Sequence, residues 1–187
     1  MRIISGNHKG RRIRPPKNLP VRPTKDMAKE ALFNIINNRY YFEDLKVLDL
    51  FAGSGGISHE FGSRGTLDVT SVDNNYACIA FINDSAELLE IPLNTIKSDV
   101  LKFLDSTNQT FNIIFADPPY AYNIEEFKSI HRAVFENNLL IENGLLIIEH
   151  SKFSDLSSFE SFETSKNYGG SVFSFFNAPK IKEKADL

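Results

Sequence analysis

Short apolar runs alternate with segments of helical periodicity between residues 46 and 150, and this alternation constrains the fold more than any other feature of the chain. The apolar runs are KVLDLF, DVTSVD, NTIKSD, FNIIFAD and GLLIIEH. Each has the length of a buried strand, and helix-like segments separate them. Strands that alternate with helices form mainly parallel sheets with helices on both faces. The pattern therefore predicts an α/β domain.

The two ends of the chain depart from this alternation. The strand-like runs SFETSKNY and SVFSFF flank Gly169 and Gly170, which predicts an antiparallel hairpin at the sheet edge and seven strands in total. Near the N-terminus, RIIS and RRIR predict a small hairpin, and MAKEALFNII predicts a helix. We expect a basic arm over residues 1–23, the α/β domain over 24–180 and a frayed polar tail over 181–187.

Charge is divided unevenly along the chain. Residues 1–30 hold nine lysines and arginines against two acidic residues, whereas the remaining residues hold twelve against twenty-two. A basic segment on an acidic body indicates contact with a polyanion, and the alternative is a solvated arm without a partner. The candidates for such contact are Arg11, Arg12, Arg14 and Arg22.

Composition disfavours several other classes of protein. The chain has no run of about 18 apolar residues, so we expect no membrane span, and the first residues lack the apolar core of a secretory signal. Cys78 is the single cysteine, which excludes an intrachain disulfide, and the four histidines lack the spacing of metal ligands. We therefore expect a cytoplasmic protein without a metal.

A glycine-rich loop, AGSGG, follows the first apolar run and places Asp49, Gly53 and Gly55 at a strand-to-helix turn. The dinucleotide fingerprint G-x-G-x-x-G would require a third glycine where Ser58 stands. An acid four residues before the first glycine instead resembles motif I of the class I methyltransferases, which have a Rossmann-like fold and bind S-adenosylmethionine. A carboxylate suits that cationic ligand better than it suits a pyrophosphate, because opposite charges attract.

Two further acids follow the next two predicted strands. Asp73 ends the second strand, 20 residues after Gly53, where its carboxylate can accept hydrogen bonds from ribose hydroxyls. Asp99 follows the third strand, where its carboxylate can accept a hydrogen bond from an adenine amine. Each could alternatively cap the helix that follows it. Because ligands of open α/β sheets bind at the carboxyl ends of the strands, the three acids together predict one ligand site.

The fourth apolar run ends in Asp117, Pro118, Pro119 and Tyr120. This DPPY sequence resembles the [DN]-P-P-[YF] motif of methyltransferases that act on planar amino groups. The prolines fix the backbone, so a carboxylate and a carbonyl can each accept one N–H of a poorly nucleophilic amine and orient it. The tyrosine ring offers a base a stacking surface worth about 1–3 kcal/mol. The alternative is that the prolines only terminate the strand.

Glu149, at the end of the fifth run, either borders this pocket or is a solvated strand end.

Four stretches in this order, RIISGNHKGRR, RPTKDMAKEALFNII, LDLFAGSGGI and FADPPY, closely resemble the RsmD-type methyltransferases. The resemblance covers nearly the whole chain, from Arg2 to the hairpin around Gly169. It implies methylation of the 2-amino group of one guanine in 16S ribosomal RNA (rRNA), on the small ribosomal subunit or a late precursor of it, with S-adenosylmethionine as methyl donor. We expect the protein to act as a monomer.

The resemblance also implies a role for individual residues. It implies a cofactor loop at Gly53 and Gly55, a ribose contact at Asp73, an adenine contact at Asp99, and a target-base site from Asp117 to Tyr120. On the arm, Arg11, Arg12 and Arg22 would face the RNA. The chain departs from the family pattern at Met27 and Lys29, where arginines are usual.

Three other functions remain open from the sequence. A DNA adenine methyltransferase uses DPPY chemistry as well, but it usually needs a target-recognition domain, for which this chain has no free segment. A protein-glutamine methyltransferase usually has asparagine where Asp117 stands and needs no basic arm. A non-catalytic RNA-binding module with this fold would have no need of an intact DPPY motif.

Overall fold

The computed structural model describes residues 1–17, 19, 21 and 25–179. In this part of the chain a seven-stranded sheet forms in the order β3-β2-β1-β4-β5-β7-β6. The strands are β1 (Lys46–Leu50), β2 (Asp68–Asp73), β3 (Asn94–Lys97), β4 (Phe111–Ala116), β5 (Leu140–Ser151), β6 (Phe162–Tyr168) and β7 (Ser171–Asn177). The helices are α1 (Asp26–Asn37), α2 (Gly56–Ser63), α3 (Tyr76–Leu88), α4 (Val100–Ser106) and α5 (Ile124–Glu136), with a short 3-10 helix at Phe42–Asp44.

Strand direction confirms the predicted α/β architecture. The strands β1 to β5 pair in parallel, whereas β7 pairs antiparallel with both β5 and β6. The chain runs outwards from β1 through β2 to β3 and then returns to β4 on the other side of β1. A crevice opens at such a switch point, outside the carboxyl ends of the central strands. The edge of the sheet formed by these ends is called the carboxyl edge below.

Alternate residues of the central strands pack on opposite faces of the sheet, as expected for a strand covered on both sides. On one face, Leu48 and Ile114 join a cluster that includes apolar side chains of α4 and α5. On the other face, Val47 and Ile113 join a cluster that includes side chains of α1 and α2. These residues are fully buried.

The N-terminal arm folds back on itself, although its pairing is less extensive than the predicted hairpin. Arg2 and Arg12 form an isolated antiparallel bridge, and the Ile3 N–H donates to the Arg11 carbonyl at 3.0 Å. Ile3 and Ile13 are buried in a small apolar cluster with Leu89 and Ile91. The described part of the arm is therefore packed on the α/β domain.

Buried polar groups of α2 hold the arm in place. The Glu60 carboxylate accepts the backbone N–H groups of Ile4 and Ser5 at 2.8 and 3.0 Å. The Ser63 hydroxyl donates to the Ser5 carbonyl at 2.7 Å. From α1, Lys29 Nζ donates to the Arg2 carbonyl at 2.6 Å and lies 3.6 Å from the carboxylate of Glu60. Burial lowers the pKa of Lys29, and the neighbouring carboxylate opposes that shift.

The strand β5 begins earlier than the sequence predicts. We expected it to begin at Gly144, but it begins at Leu140, which pairs with Phe111 before the register shifts. Asn143 has a φ of 60°, in the left-handed region, so the chain bends where the pairing is interrupted. In the ranges described above, no helix combines the length and apolar character needed to cross a bilayer.

Candidate active site

The predicted acidic and DPPY residues meet at a cavity of about 390 Å³ at the carboxyl edge. Its lining includes Asp49, Gly53, Asp73, Asp99, Asp117, Pro118, Pro119 and Tyr120. Gly55 is not among the lining residues, but Ser54 and Gly56 on either side of it are. This first cavity has a volume typical of small-molecule sites. The fold thus brings together residues that lie as far as 71 positions apart in the chain.

The glycine loop needs its glycines for conformation and for space. Gly53 and Gly55 have φ angles of 55° and 72°, in the left-handed region where side chains are disfavoured. A Cβ on Gly55 would also lie only 2.8 Å from His59 Nδ1 and 2.9 Å from Ile82 Cγ1. His59 Nδ1 donates to the Gly55 carbonyl at 2.7 Å. Gly55 therefore packs against His59 and Ile82 and does not line the cavity, whereas Gly53 does.

Asp73 holds the glycine loop with one carboxylate oxygen and its own strand end with the other. Oδ2 accepts the Gly53 N–H and Oδ1 accepts the Asn75 N–H, both at 2.8 Å. Each carboxylate oxygen can accept more than one hydrogen bond, so these contacts leave acceptor capacity for ligand hydroxyls. The side chain is therefore fixed and still borders the first cavity.

Asp49 is buried beneath the start of α2 and borders the first cavity. Its Oδ2 accepts the backbone N–H of Ser58 at 3.1 Å and also accepts the Ser58 hydroxyl. Burial raises the pKa of Asp49 to about 7, and the hydrogen bonds from Ser58 oppose this rise. A cationic ligand group nearby would favour the ionised carboxylate. In the sequence Ser58 is notable only because it stands where the dinucleotide fingerprint has a glycine. In the structure its backbone N–H and hydroxyl hold the Asp49 carboxylate in position.

Asp99 caps a helix, which is one of the two roles that the sequence left open, and it also borders the first cavity. Its Oδ1 accepts the Lys102 N–H at 3.1 Å and caps α4. The same residue also borders the first cavity. It follows β3 at one side of the sheet, whereas the DPPY segment follows β4 on the other side of β1, so the two lie at opposite ends of the cavity. Helix capping and a position at the cavity are thus compatible.

The DPPY segment separates the first cavity from a second cavity of about 360 Å³. Asp117 and Tyr120 line both. The Tyr122 N–H donates to the Pro119 carbonyl at 2.9 Å, which closes the turn after β4. The second cavity is further lined by Lys25, Glu149, Ser151, Lys152, Phe153, Gly169, Gly170 and Ser171. Glu149 therefore borders this second cavity, which is one of the two positions that the sequence left open for it. The sequence did not single out the other lining residues of the cavity, because they come from segments that lie apart in the chain.

The arm presents several of the predicted arginines to solvent. Arg11, Arg12 and Arg14 are exposed, and the last two border a shallow third cavity with Arg2 and Asp26. Arg2 Nε lies 2.8 Å from Asp26 Oδ2. A fourth predicted RNA contact, Arg22, lies outside the described residues.

The two departures from the family pattern have different environments. Lys29 is buried and holds the arm, as described above, whereas Met27 is 59% exposed at the start of α1. Met1, at the other end of the arm, borders the first cavity beside Ser54. The arm therefore lies close to the glycine loop as well as at the surface.

Side chains suited to metal binding are dispersed. Within residues 1–17, 19, 21 and 25–179, no group of three or more histidines, cysteines, aspartates or glutamates could hold a metal ion. Burial lowers the pKa of His59 to about 4, so its ring is neutral at neutral pH. Cys78 borders the first cavity, and burial raises the pKa of its thiol to about 11, so it is not an activated nucleophile.

Comparison with known proteins places the chain among methyltransferases. Residues 1–177 match the family described as Conserved hypothetical protein 95. The chain is 31% identical over 183 residues to the Ribosomal RNA small subunit methyltransferase D of Haemophilus influenzae, an alignment that covers 94% of this chain and 91% of that protein.

Solved structures share the fold. The Escherichia coli protein yhhF superposes with a TM-score of 0.82 at 25% identity, over 97% of this chain and 99% of that one. The Thermus thermophilus 16S rRNA N2 G1207 methyltransferase RsmC, solved with AdoMet and guanosine, superposes with a TM-score of 0.68 at 19% identity, over 83% and 44% of the two chains. The second likeness concerns the fold alone.

Proposed function

The chain belongs to the Conserved hypothetical protein 95 family, that of the RsmD-type methyltransferases, and from this premise we propose that it transfers a methyl group from S-adenosylmethionine to the 2-amino group of a guanine in 16S rRNA. The observation that carries the proposal is the position of Asp117 between two cavities. In this proposal one cavity would hold the methyl donor and the other the base, so the carboxylate would lie where the two meet.

The first cavity fits the methyl donor by the chemistry of its lining. Asp49 would face the cationic part of the ligand, Asp73 the ribose hydroxyls and Asp99 the adenine amine. The positive φ of Gly53 favours glycine, so this position of the loop carries no side chain that would occupy the cavity. When bound, S-adenosylmethionine supplies an electrophilic methyl group on a sulfonium. The residues of the chain would bind and orient it.

The DPPY segment would position the target amine. The Asp117 carboxylate would accept one N–H of the amine and a carbonyl of the proline pair the other, which aims the nitrogen lone pair at the methyl group. The carboxylate would also stabilise the positive charge that develops on nitrogen. Tyr120 is 56% exposed and lines both cavities, so its ring is placed to stack on the base.

The arm would bind rRNA through its exposed arginines. Arg11, Arg12 and Arg14 add positive charge at the surface, and contacts between such side chains and phosphates position a protein on RNA without reading its sequence. The substrate would be the small ribosomal subunit or a late precursor, met in the cytoplasm by a single copy of the chain.

The experiment that tests this proposal uses tritiated S-adenosylmethionine and small subunits from cells that lack the protein. We expect label in 16S rRNA, and nuclease digestion with mass spectrometry should identify N2-methylguanosine. Subunits from wild-type cells are the control, because their target is already modified. Label in DNA would indicate the adenine methyltransferase, and label in protein would indicate the glutamine methyltransferase. Absence of label in rRNA would reject the proposal.

A further inference from the structure

Phe153 is the most exposed large apolar side chain in the described residues, at 89% of its full accessible surface. A single exposed apolar residue is common on protein surfaces. The position of this one is informative, because it follows β5 at the carboxyl edge and borders the second cavity, whose lining also includes Asp117 and Tyr120.

The loop that carries Phe153 is held by hydrogen bonds. The Phe153 N–H donates to the Ser151 hydroxyl at 3.2 Å, and the Ser154 N–H donates to the Ser151 carbonyl at 3.1 Å. Ser151 itself pairs with Ser171 of β7. The aromatic ring is therefore presented to solvent from a turn that is anchored to the sheet.

Two lysines line the second cavity together with the Phe153 ring, as do two carboxylates, those of Asp117 and Glu149. Lys152 Nζ lies 5.1 Å from the centroid of the Phe153 ring. Across the second cavity, Lys25 Nζ donates to the Gly169 carbonyl at 2.9 Å, at the turn between β6 and β7. An aromatic ring with one ammonium group over it and a second lining the same cavity matches the two parts of a nucleotide, the base and the phosphate.

Resting on the function proposed above, we propose that Phe153, Lys152 and Lys25 form a second nucleotide-binding position, for the nucleotide that adjoins the target guanine in rRNA. The target amine can reach Asp117 only when its base has left the stack of neighbouring bases. The adjoining base then loses a stacking partner, and the Phe153 ring would replace it while the lysines neutralise the phosphate.

The first test uses tryptophan fluorescence, because the chain has no tryptophan of its own. The variant Phe153→Trp carries a single indole at the proposed position. The control Tyr41→Trp replaces an aromatic residue that is 84% exposed and precedes β1, at the opposite edge of the sheet. We expect short single-stranded RNA free of protein to quench the fluorescence of the first variant and to leave that of the second unchanged.

The second test measures steady-state methylation of small subunits that lack the modification. We expect Phe153→Ala to raise KM about 5- to 150-fold, the range that loss of one stacked base typically produces, with kcat little changed. Phe153→Trp should restore KM, since an indole also stacks. Tyr41→Ala, a matched truncation of an exposed ring, should leave both constants at the wild-type values.

The outcomes separate this inference from the proposed function. Quenching at position 153 without any methylation of rRNA by the wild-type protein would support the nucleotide position and reject the activity. Methylation by the wild-type protein with no quenching at position 153 would overturn the nucleotide position alone. A raised KM for Phe153→Ala without quenching by protein-free RNA would assign the ring to a ribosomal protein, and it would overturn the inference as well.

Discussion

The backbone N–H of Gly53 donates a 2.8 Å hydrogen bond to Oδ2 of Asp73, which joins the loop after β1 to the end of β2. The residue proposed to bind the ribose is therefore also the residue that fixes the glycine loop. Because its other oxygen is held by the Asn75 N–H, the carboxylate cannot rotate freely. Loop shape and ligand contact thus depend on one side chain.

The first prediction concerns this side chain. We expect Asp73→Ala to weaken S-adenosylmethionine binding at least about tenfold, because a hydrogen bond to a charged group contributes about 1.5–3 kcal/mol. Isothermal titration calorimetry measures the change in Kd. Asp68→Ala is the matched control, since Asp68 begins the same strand at the far edge, where its carboxylate lies 3.6 Å from Lys46 Nζ. An unchanged Kd for Asp73→Ala, with the native fold retained, would contradict the assignment.

The second prediction separates strain from lack of space in the glycine loop. Gly55→Ala places a Cβ 2.8 Å from His59 Nδ1, whereas Gly10→Ala, at a similar φ of 83°, meets nothing within 4 Å. We expect both variants to be destabilised by left-handed strain and Gly55→Ala by more, with weaker cofactor binding in that variant alone. Urea unfolding and calorimetry provide the two measurements. Equal losses in stability would show that the contact with His59 has no energetic effect.

The third prediction concerns catalysis. We expect Asp117→Ala to lower kcat about 100-fold or more, because the variant no longer stabilises the charge that develops on nitrogen. S-adenosylmethionine should still bind, since Asp49, Asp73 and Asp99 are retained. Label transfer to small subunits and calorimetry give the two quantities. Asp84→Ala removes an exposed acid of α3 and serves as the control. Loss of cofactor binding in Asp117→Ala would argue against the role given to this residue.

The fourth prediction concerns pH. Folding raises the pKa of Asp49 from its ordinary value of 3.8 to about 7, because burial disfavours the charged form. Between these values the folded protein retains a proton that the unfolded chain has released, so this group lowers stability as pH rises from about 4 to about 7, after which the effect is constant.

Asp49→Asn removes that dependence. We expect the free energy of unfolding of this variant, relative to wild type, to increase between pH 5 and pH 7 by at most about 1.4 kcal/mol per pH unit. Urea unfolding at several pH values measures it, and Asp68→Asn, at a partly exposed acid at the start of β2, is the control. A difference between Asp49→Asn and wild type that stays constant with pH would mean that Asp49 keeps an ordinary pKa in the folded protein.

The fifth prediction concerns the arm. Arg12→Ala combined with Arg14→Ala should weaken binding to small subunits and reduce the salt dependence of that binding, by about 0.7–0.9 in the log–log slope for each phosphate that is no longer neutralised. The control combines Lys128→Ala and Arg132→Ala, which also removes two positive charges but from the surface of α5. Filter binding over a series of salt concentrations would detect the difference. Identical slopes for the two double variants would make the arm a structural element only.

Most of the fold could be predicted because the signals are local. The apolar runs lie on strands whose alternate residues pack on both faces. The acids lie at or just beyond the carboxyl ends of those strands, so their meeting at the carboxyl edge follows from parallel pairing. The start of β5 was missed because Asn143 and Gly144 have the composition of a turn, although the chain pairs on both sides of the bend.

The second cavity could not be predicted because no local pattern connects its parts. Lys25, Phe153 and Gly169 come from three separate segments. The antiparallel return of β7 beside β5 brings Gly169 near Phe153, and a hydrogen bond joins Lys25 to Gly169. Lys29 shows a related difficulty. The sequence places it in the basic segment without indicating a partner, whereas burial against Glu60 makes it an internal attachment for the arm.

The helix α2 has only eight residues, yet its first residue follows the glycine loop and its last turn holds the arm through Glu60 and Ser63. If the arm binds rRNA as proposed, a displacement of the arm would therefore be transmitted to the first cavity through α2. Thermodynamic reciprocity then requires that rRNA change cofactor affinity by the same factor by which the cofactor changes rRNA affinity.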